Sequence, residues 1–111
     1  MLNHERLKVY EFTLEVAKKV PDMLTGFPLG SAYLADQLKR AVSSILLNLA
    51  EGNGRRSLKE RRRFFDIAIG SATESAAILD IVYAYEYISQ EMHLELKDKL
   101  EQIVRILYKL N

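Results

Sequence analysis

The 111-residue chain contains no cysteine. That excludes a disulfide framework, a zinc–thiolate site and a cysteine nucleophile, and it fits a reducing, cytoplasmic setting. Only two prolines and five glycines interrupt it, so the many turns of an all-β chain have little to be built from. There are two histidines, His4 and His93, and neither has a glutamate three residues before it, so the Glu-x-x-His pattern of di-iron bundles fails. A lone histidine at a helix start, as His93 is, reads as a surface residue. No nucleophile-elbow sequence is present, and carboxylate pairs such as Glu91/Glu95 read as solvated helix charges. No apolar run approaches the length of a membrane span, and no charged–apolar–small leader pattern opens the chain. The expectation is a non-enzymatic protein with no cofactor, no metal and no membrane partner.

What is present is helical. Apolar residues make up 49% of the chain, with abundant Leu, Ala, Glu, Lys and Arg. Apolar spacing at three and four residues predicts four helices in one domain over residues 1–111, hence an all-α, up-down-up-down four-helix bundle. The first helix is expected from about Glu5 to about Leu24. Leu7, Tyr10, Leu14, Ala17 and Leu24 form one stripe in it; Val9, Val16, Val20 and Met23 form another. Pro21 should kink that helix or end it early. Phe27, in the following connection, should tuck against the bundle end. The second helix is expected from Ser31 to Glu51, with Leu34, Leu38, Ala41, Val42, Ile45 and Leu49 on its apolar arc. Beside that arc runs a polar stripe of Gln37, Arg40, Ser44, Asn48 and Glu51, either solvated or meeting a neighbouring helix, a partner subunit or the turn.

The third helix is expected from Leu58 to about Ile88. Phe64, Phe65, Ala68, Ala72, Leu79, Val82 and Tyr83 share one face, while Ile67, Ile78, Ile81, Tyr85 and Ile88 fall largely outside it. A helix apolar over so much of its circumference needs cover on two sides, and in a four-helix chain a second subunit is the natural cover. Ser89 caps a fourth helix whose seam is Leu96, Leu100, Ile103, Leu107 and Leu110.

The chain is organised around Gln37 to Arg63. Gly52-Asn53-Gly54 should stop the second helix, since glycine takes the left-handed conformation of a helix C-terminus at little cost. Ser57 and Glu60 form a capping box that starts the third. Asn48 and Glu51, within one turn of the helix end, are candidates to hold free backbone groups of the turn, so Asn48, Glu51, Gly52, Gly54 and Ser57 make up a structural turn. Arg55, Arg56, Lys59, Arg61, Arg62 and Arg63 place six basic residues within nine, with Glu60 the one acid. The rest of the chain has ten basic and fourteen acidic residues, so a net charge of +1 conceals one basic patch on a mildly acidic molecule. Gathering that charge at a helix N-terminus opposes the macrodipole, at roughly 0.3–1 kcal/mol per badly placed charge. Either the neighbouring acids Glu51, Glu60 and Asp66 neutralise the cluster within the fold or across an interface, or it contacts phosphate, with nucleic acid as the partner.

Gln37-Leu38-Lys39-Arg40-Ala41, Asn48-Leu49-Ala50-Glu51-Gly52, Gly54-Arg55-Arg56-Ser57, Phe64-Phe65 and Gly70-Ser71 occur in an order that resembles the bacterial 23S rRNA intervening-sequence proteins. Leu7-Lys8-Val9-Tyr10, Ser89-Gln90-Glu91 and Tyr108 extend the resemblance over essentially the whole chain. Leu47 and Thr73-Glu74-Ser75-Ala76 vary the usual wording. The resemblance implies a four-helix bundle assembled as a ring-like homopentamer, without enzymatic activity. It also extends to the accessory protein of diversity-generating retroelements, which implies RNA or DNA, and a reverse transcriptase or ribonucleoprotein, as partners. The function implied is a nucleic-acid-binding or ribonucleoprotein accessory module; the alternative is a protein-interaction scaffold whose basic turn makes intersubunit salt bridges.

Overall fold

The computed structural model describes residues 4–110. They form four helices and no strand: α1 (His4–Leu24), α2 (Ala32–Asn53), α3 (Leu58–Ala84) and α4 (Gln90–Leu110). Each helix packs on the next, and α1 closes against α4, which makes the expected antiparallel bundle. At about 1.5 Å rise per residue, the 27 residues of α3 span nearly the whole 45 Å long axis.

One apolar core draws on all four helices. From α2 it takes Leu34, Leu38, Ala41, Val42, Ile45 and Leu49, the arc expected from spacing. From α4 come Leu96, Leu100, Ile103 and Leu107, while Leu110 is half-buried. The two stripes of α1 are resolved in favour of the second: Val9, Val16, Val20 and Met23 are buried, whereas Leu7 is exposed and Tyr10, Leu14, Ala17 and Leu24 are half-buried. Thr13 joins the buried stripe because its hydroxyl donates to the Val9 carbonyl at 2.9 Å, which satisfies it inside the helix. Pro21 does not end α1 early: the helix runs on to Leu24, with the proline exposed in its last turn. Phe27 packs on Tyr87, ring centroids 5.4 Å apart, at the bundle end as expected.

The α2–α3 contact is the most extensive in the bundle, and small residues line it. Ser44 and Ser71 meet hydroxyl to hydroxyl at 2.7 Å. Buried Ser75 donates back to the Ser71 carbonyl at 2.8 Å. Gly52 shows what the closeness demands. It is not the left-handed helix terminator expected from sequence, since α2 continues through it to Asn53 and Gly54 caps with a right-handed φ of −84°. A Cβ on Gly52 would lie 2.7 Å from Cε1 of the buried Phe65 ring and 3.2 Å from Cβ of Phe64. Glycine is there for room, not for conformation.

α3 stops at Ala84, four residues before the expected Ile88. The left-handed residue that ends it is Glu86, at φ 64°. Tyr87 N–H donates to the Val82 carbonyl and Glu86 N–H to that of Tyr83, both at 2.9 Å, the paired bonds of a Schellman cap. Ser89 caps α4 as expected, its Oγ accepting from Met92 N–H at 3.1 Å. The α3 helix is also long and apolar enough to cross a membrane by length and composition alone, contrary to the expectation that no run comes near. Packed core helices meet the same test, and here Phe65, Ala68, Ala72, Leu79 and Val82 lie in the core.

His93 is not the surface residue expected. Its side chain is only 12% exposed, its ring stacks on Tyr83 at 4.4 Å, and its Nε2 lies 2.8 Å from Asp80 Oδ1. Lys97 donates to both Asp80 oxygens at 3.0 and 3.1 Å, so one carboxylate ties α3 to α4 twice. The His93 hydrogen bond first, and the Lys97 hydrogen bond second, hold Asp80 below the ordinary carboxylate value.

Two expectations follow. Gly52→Ala destabilises the fold by about 1–2 kcal/mol in urea unfolding, because overpacking against Phe65 outweighs the better helix propensity of alanine. Because the folded pKa of Asp80 is depressed, its contribution is full above the unfolded value of about 3.9 and is lost as pH falls through the folded value. Melting temperature against pH for Asp80→Asn therefore has a shallower acid limb than for the wild type.

Candidate nucleic-acid interface

The four residues 54–57 join α2 to α3, and this link carries the basic cluster to one end of the bundle. Ser57 starts α3 from an extended backbone, and its Oγ accepts from Glu60 N–H at 3.3 Å, the forward half of the expected capping box.

The six basic residues divide into two groups. Arg55 is committed within the chain: its Nη2 lies 2.9 Å from Glu51 Oε2, and its guanidinium sits 4.9 Å over the Phe64 ring. Arg61 is half-buried and turns back to donate from Nη2 to the Arg55 carbonyl at 3.2 Å. Its Nε is buried without a partner, as is Asn53 Oδ1. Burial first, and the charge of Arg61 second, lower the Arg6 guanidinium below its ordinary value, so α1 approaches this end of the bundle too. The other four, Arg56, Lys59, Arg62 and Arg63, are exposed, and none has an ion-pair partner among the described residues.

Lys59, Arg62 and Arg63 follow the three- and four-residue spacing of one helix face. Lys59 and Arg63 stand between two shallow depressions of about 740 and 670 Å³. The first is walled by Gly54–Ser57 and Glu60, the second by Leu58, Arg62, Asp66 and Ile67. Such an open, cationic surface beside the free N–H groups of a helix start suits an extended polyanion better than an enclosed small molecule.

The structural turn differs from expectation in its bonds. Asn48 does not reach forward to the turn. Its Nδ2 donates back to the Ser44 carbonyl at 2.8 Å and to Ser44 Oγ at 3.1 Å, extending the Ser44–Ser71 pair. Glu51 holds the turn through the Arg55 side chain instead of its backbone. The polar stripe of α2 is thereby split: Ser44 meets α3 and Asn48 bonds back to Ser44, while Gln37, Arg40 and Glu51 remain exposed. Among the described residues no three His, Cys, Asp or Glu side chains gather as a metal site would require.

The family model of the 23S rRNA-intervening sequence proteins matches residues 5–109. The chain belongs to this family. No curated protein matches it. A crystal structure of a protein of unknown function from the S23 ribosomal protein family of Bacteroides thetaiotaomicron superposes with a TM-score of 0.83 over 96% of each chain, at 22% identity. At that identity the likeness carries the fold alone. In this chain the basic link joins the two helices that share the most extensive contact of the bundle.

The division between tied and untied arginines has a measurable consequence. Arg61→Ala lowers stability by about 1 kcal/mol, a charge-assisted hydrogen bond discounted for exposure. Arg63→Ala stays within about 0.5 kcal/mol of wild type by urea unfolding.

Proposed function

We propose that this chain is a non-enzymatic nucleic-acid-binding module, an accessory to a ribonucleoprotein, whose contact surface is the α2–α3 link and the first two turns of α3. The observation that carries the reading is the set of four exposed cations, Arg56, Lys59, Arg62 and Arg63, concentrated on one end of an otherwise acidic molecule. Internal neutralisation accounts for Arg55 through Glu51, and the fold itself uses Arg61. Among the described residues no ion pair engages the other four. Their helix-face spacing suits contacts to successive phosphates, with the free N–H groups of α3 adding to the field. The family name connects its members with intervening sequences of 23S rRNA, which makes structured RNA the first ligand to test.

Binding through these contacts releases counterions, so log affinity falls linearly with log salt. Changing Arg56, Lys59 and Arg63 together to Gln flattens that slope by about 0.7–0.9 per lost contact, with the helix content intact. Fluorescence anisotropy with single-stranded and structured RNA and with DNA, at several salt concentrations, reads both quantities. A wild-type protein that binds none of them at low salt overturns the proposal. A triple variant that instead loosens an oligomer while the slope stays unchanged assigns the patch to intersubunit salt bridges.

A further inference from the structure

A cleft between α2 and α3 is walled by Gln37, Arg40, Ala41 and Ser44 from one helix and by Glu74 from the other, and holds about 350 Å³. That is the small end of the range for ligand clefts, roughly 300–1,000 Å³. Its floor is already satisfied. Ala41 is buried, and the Ser44 hydroxyl pairs with Ser71 at 2.7 Å and accepts from Asn48 Nδ2 at 3.1 Å. Its walls are not. Arg40 and Glu74 carry opposite charges and line the same cleft, yet neither has an ion-pair partner among the described residues. The space between them is open to a ligand that brings both donors and acceptors.

The cleft is in line with the basic face. Arg63 and Glu74 are eleven residues apart on α3, which is three helical turns, so they share one side of the helix about 16 Å apart. Ile67 and Gly70 lie between them on that side, and both are exposed. Glycine weakens a helix interior relative to alanine, and nothing lies within 4 Å of the place a Gly70 Cβ would occupy, so no neighbour in this chain requires it. What the missing side chain leaves is an unobstructed path from Arg63 to the cleft.

We infer that the cleft receives an unpaired guanine of the nucleic acid held on the basic face, with Glu74 and Arg40 reading its edges. The inference rests on the nucleic-acid reading above and adds base selection to it. A carboxylate only accepts hydrogen bonds, and a guanidinium only donates them. Among the four bases of RNA, guanine alone sets two donors side by side, N1–H and the N2 amino group, which match the two oxygens of Glu74. Adenine and cytosine place a ring acceptor beside their one amino group, and uracil flanks its N3–H with two carbonyls. Each of these turns an acceptor toward the carboxylate. Guanine O6 and N7 are acceptors, the pair that arginine contacts bidentately. Donors toward Glu74 and acceptors toward Arg40 fit one base in one orientation. The guanine must be unpaired, because pairing occupies the edge that Glu74 reads. Phosphate contacts by Lys59, Arg62 and Arg63 hold a strand without regard to sequence, and the cleft supplies the selectivity that they lack.

The test is fluorescence anisotropy at low salt with three short single-stranded RNAs, oligouridylates that carry one central guanosine, inosine or adenosine. Wild type should bind the guanosine strand about tenfold more tightly than the adenosine strand, the discrimination of one good bidentate contact. Inosine lacks the N2 amino group and should lose a large part of that preference. Glu74→Gln keeps the side chain's size but exchanges an acceptor for a donor, and should bring the guanosine-to-adenosine ratio below about twofold. Arg40→Gln should lower the ratio as well. Both residues are exposed, so helix content by circular dichroism should stay at the wild-type value. The salt slope of Glu74→Gln should also be unchanged, which separates it from loss of the phosphate contacts. Equal affinity for the three strands overturns this proposal and leaves the nucleic-acid reading standing, whereas no binding to any RNA or DNA overturns both. A guanosine preference that survives in Glu74→Gln places base reading elsewhere and overturns the proposal too.

Discussion

The close approach of α2 and α3 is the constraint on which the rest of the structure depends. Gly52 admits the Phe65 ring where a methyl group would clash, and Ser44 and Ser71 bring the two backbones together through their hydroxyls. Buried hydroxyls cost stability unless they are bonded, and each here has a partner: Ser44 with Ser71, Ser75 with the Ser71 carbonyl, Asn48 with Ser44. Helices this close can be joined by a short link, and the four residues 54–57 suffice. The position of the basic cluster at one bundle end is a by-product of that packing.

Charge within the cluster is divided between residues with partners in the fold and residues without. Positive charge near a helix N-terminus is unfavourable, and the fold absorbs part of it. Arg55 is held between Glu51 and the Phe64 ring, and Arg61 closes over the link by bonding the Arg55 carbonyl. These two shape the turn. Arg56, Lys59, Arg62 and Arg63 project from the shape so made. At the opposite end of α3 the fold accepts a different local cost, a glutamate in the left-handed conformation at Glu86, because the two bonds of the cap turn the chain sharply into α4.

The two apolar stripes of α3 explain its composition. One meets the core through Phe65, Ala68, Ala72, Leu79 and Val82. The other, through Ile67, Gly70, Ala77 and Ile81, is exposed, with open space where a Gly70 Cβ would lie. A hydropathy profile merges the two, which is why the helix passes as a membrane span by composition while behaving in the fold as a bundle element.

How much of this was legible in the chain follows from the range of the interactions. Helix number, the α2 and α4 core faces, the Ser57 and Ser89 caps and the basic patch are local in sequence, and periodicity or capping chemistry reveals them directly. The features that went unforeseen join residues far apart. Gly52 read as a terminator because a glycine near a helix end usually is one, and only Phe65 across the turn shows that it provides space. His93 read as a surface residue because its partners, Asp80 and Tyr83, lie on another helix. Asn48 read as an anchor of the turn, but its amide bonds back to Ser44, which itself pairs with Ser71 on α3. The sequence by itself determined which residues were apolar, charged or able to cap, since those properties belong to side chains and their spacing. Tertiary structure alone decided which of the arginines were spent on the turn and which seam of α3 stayed bare, because burial and pairing depend on what the rest of the chain brings alongside.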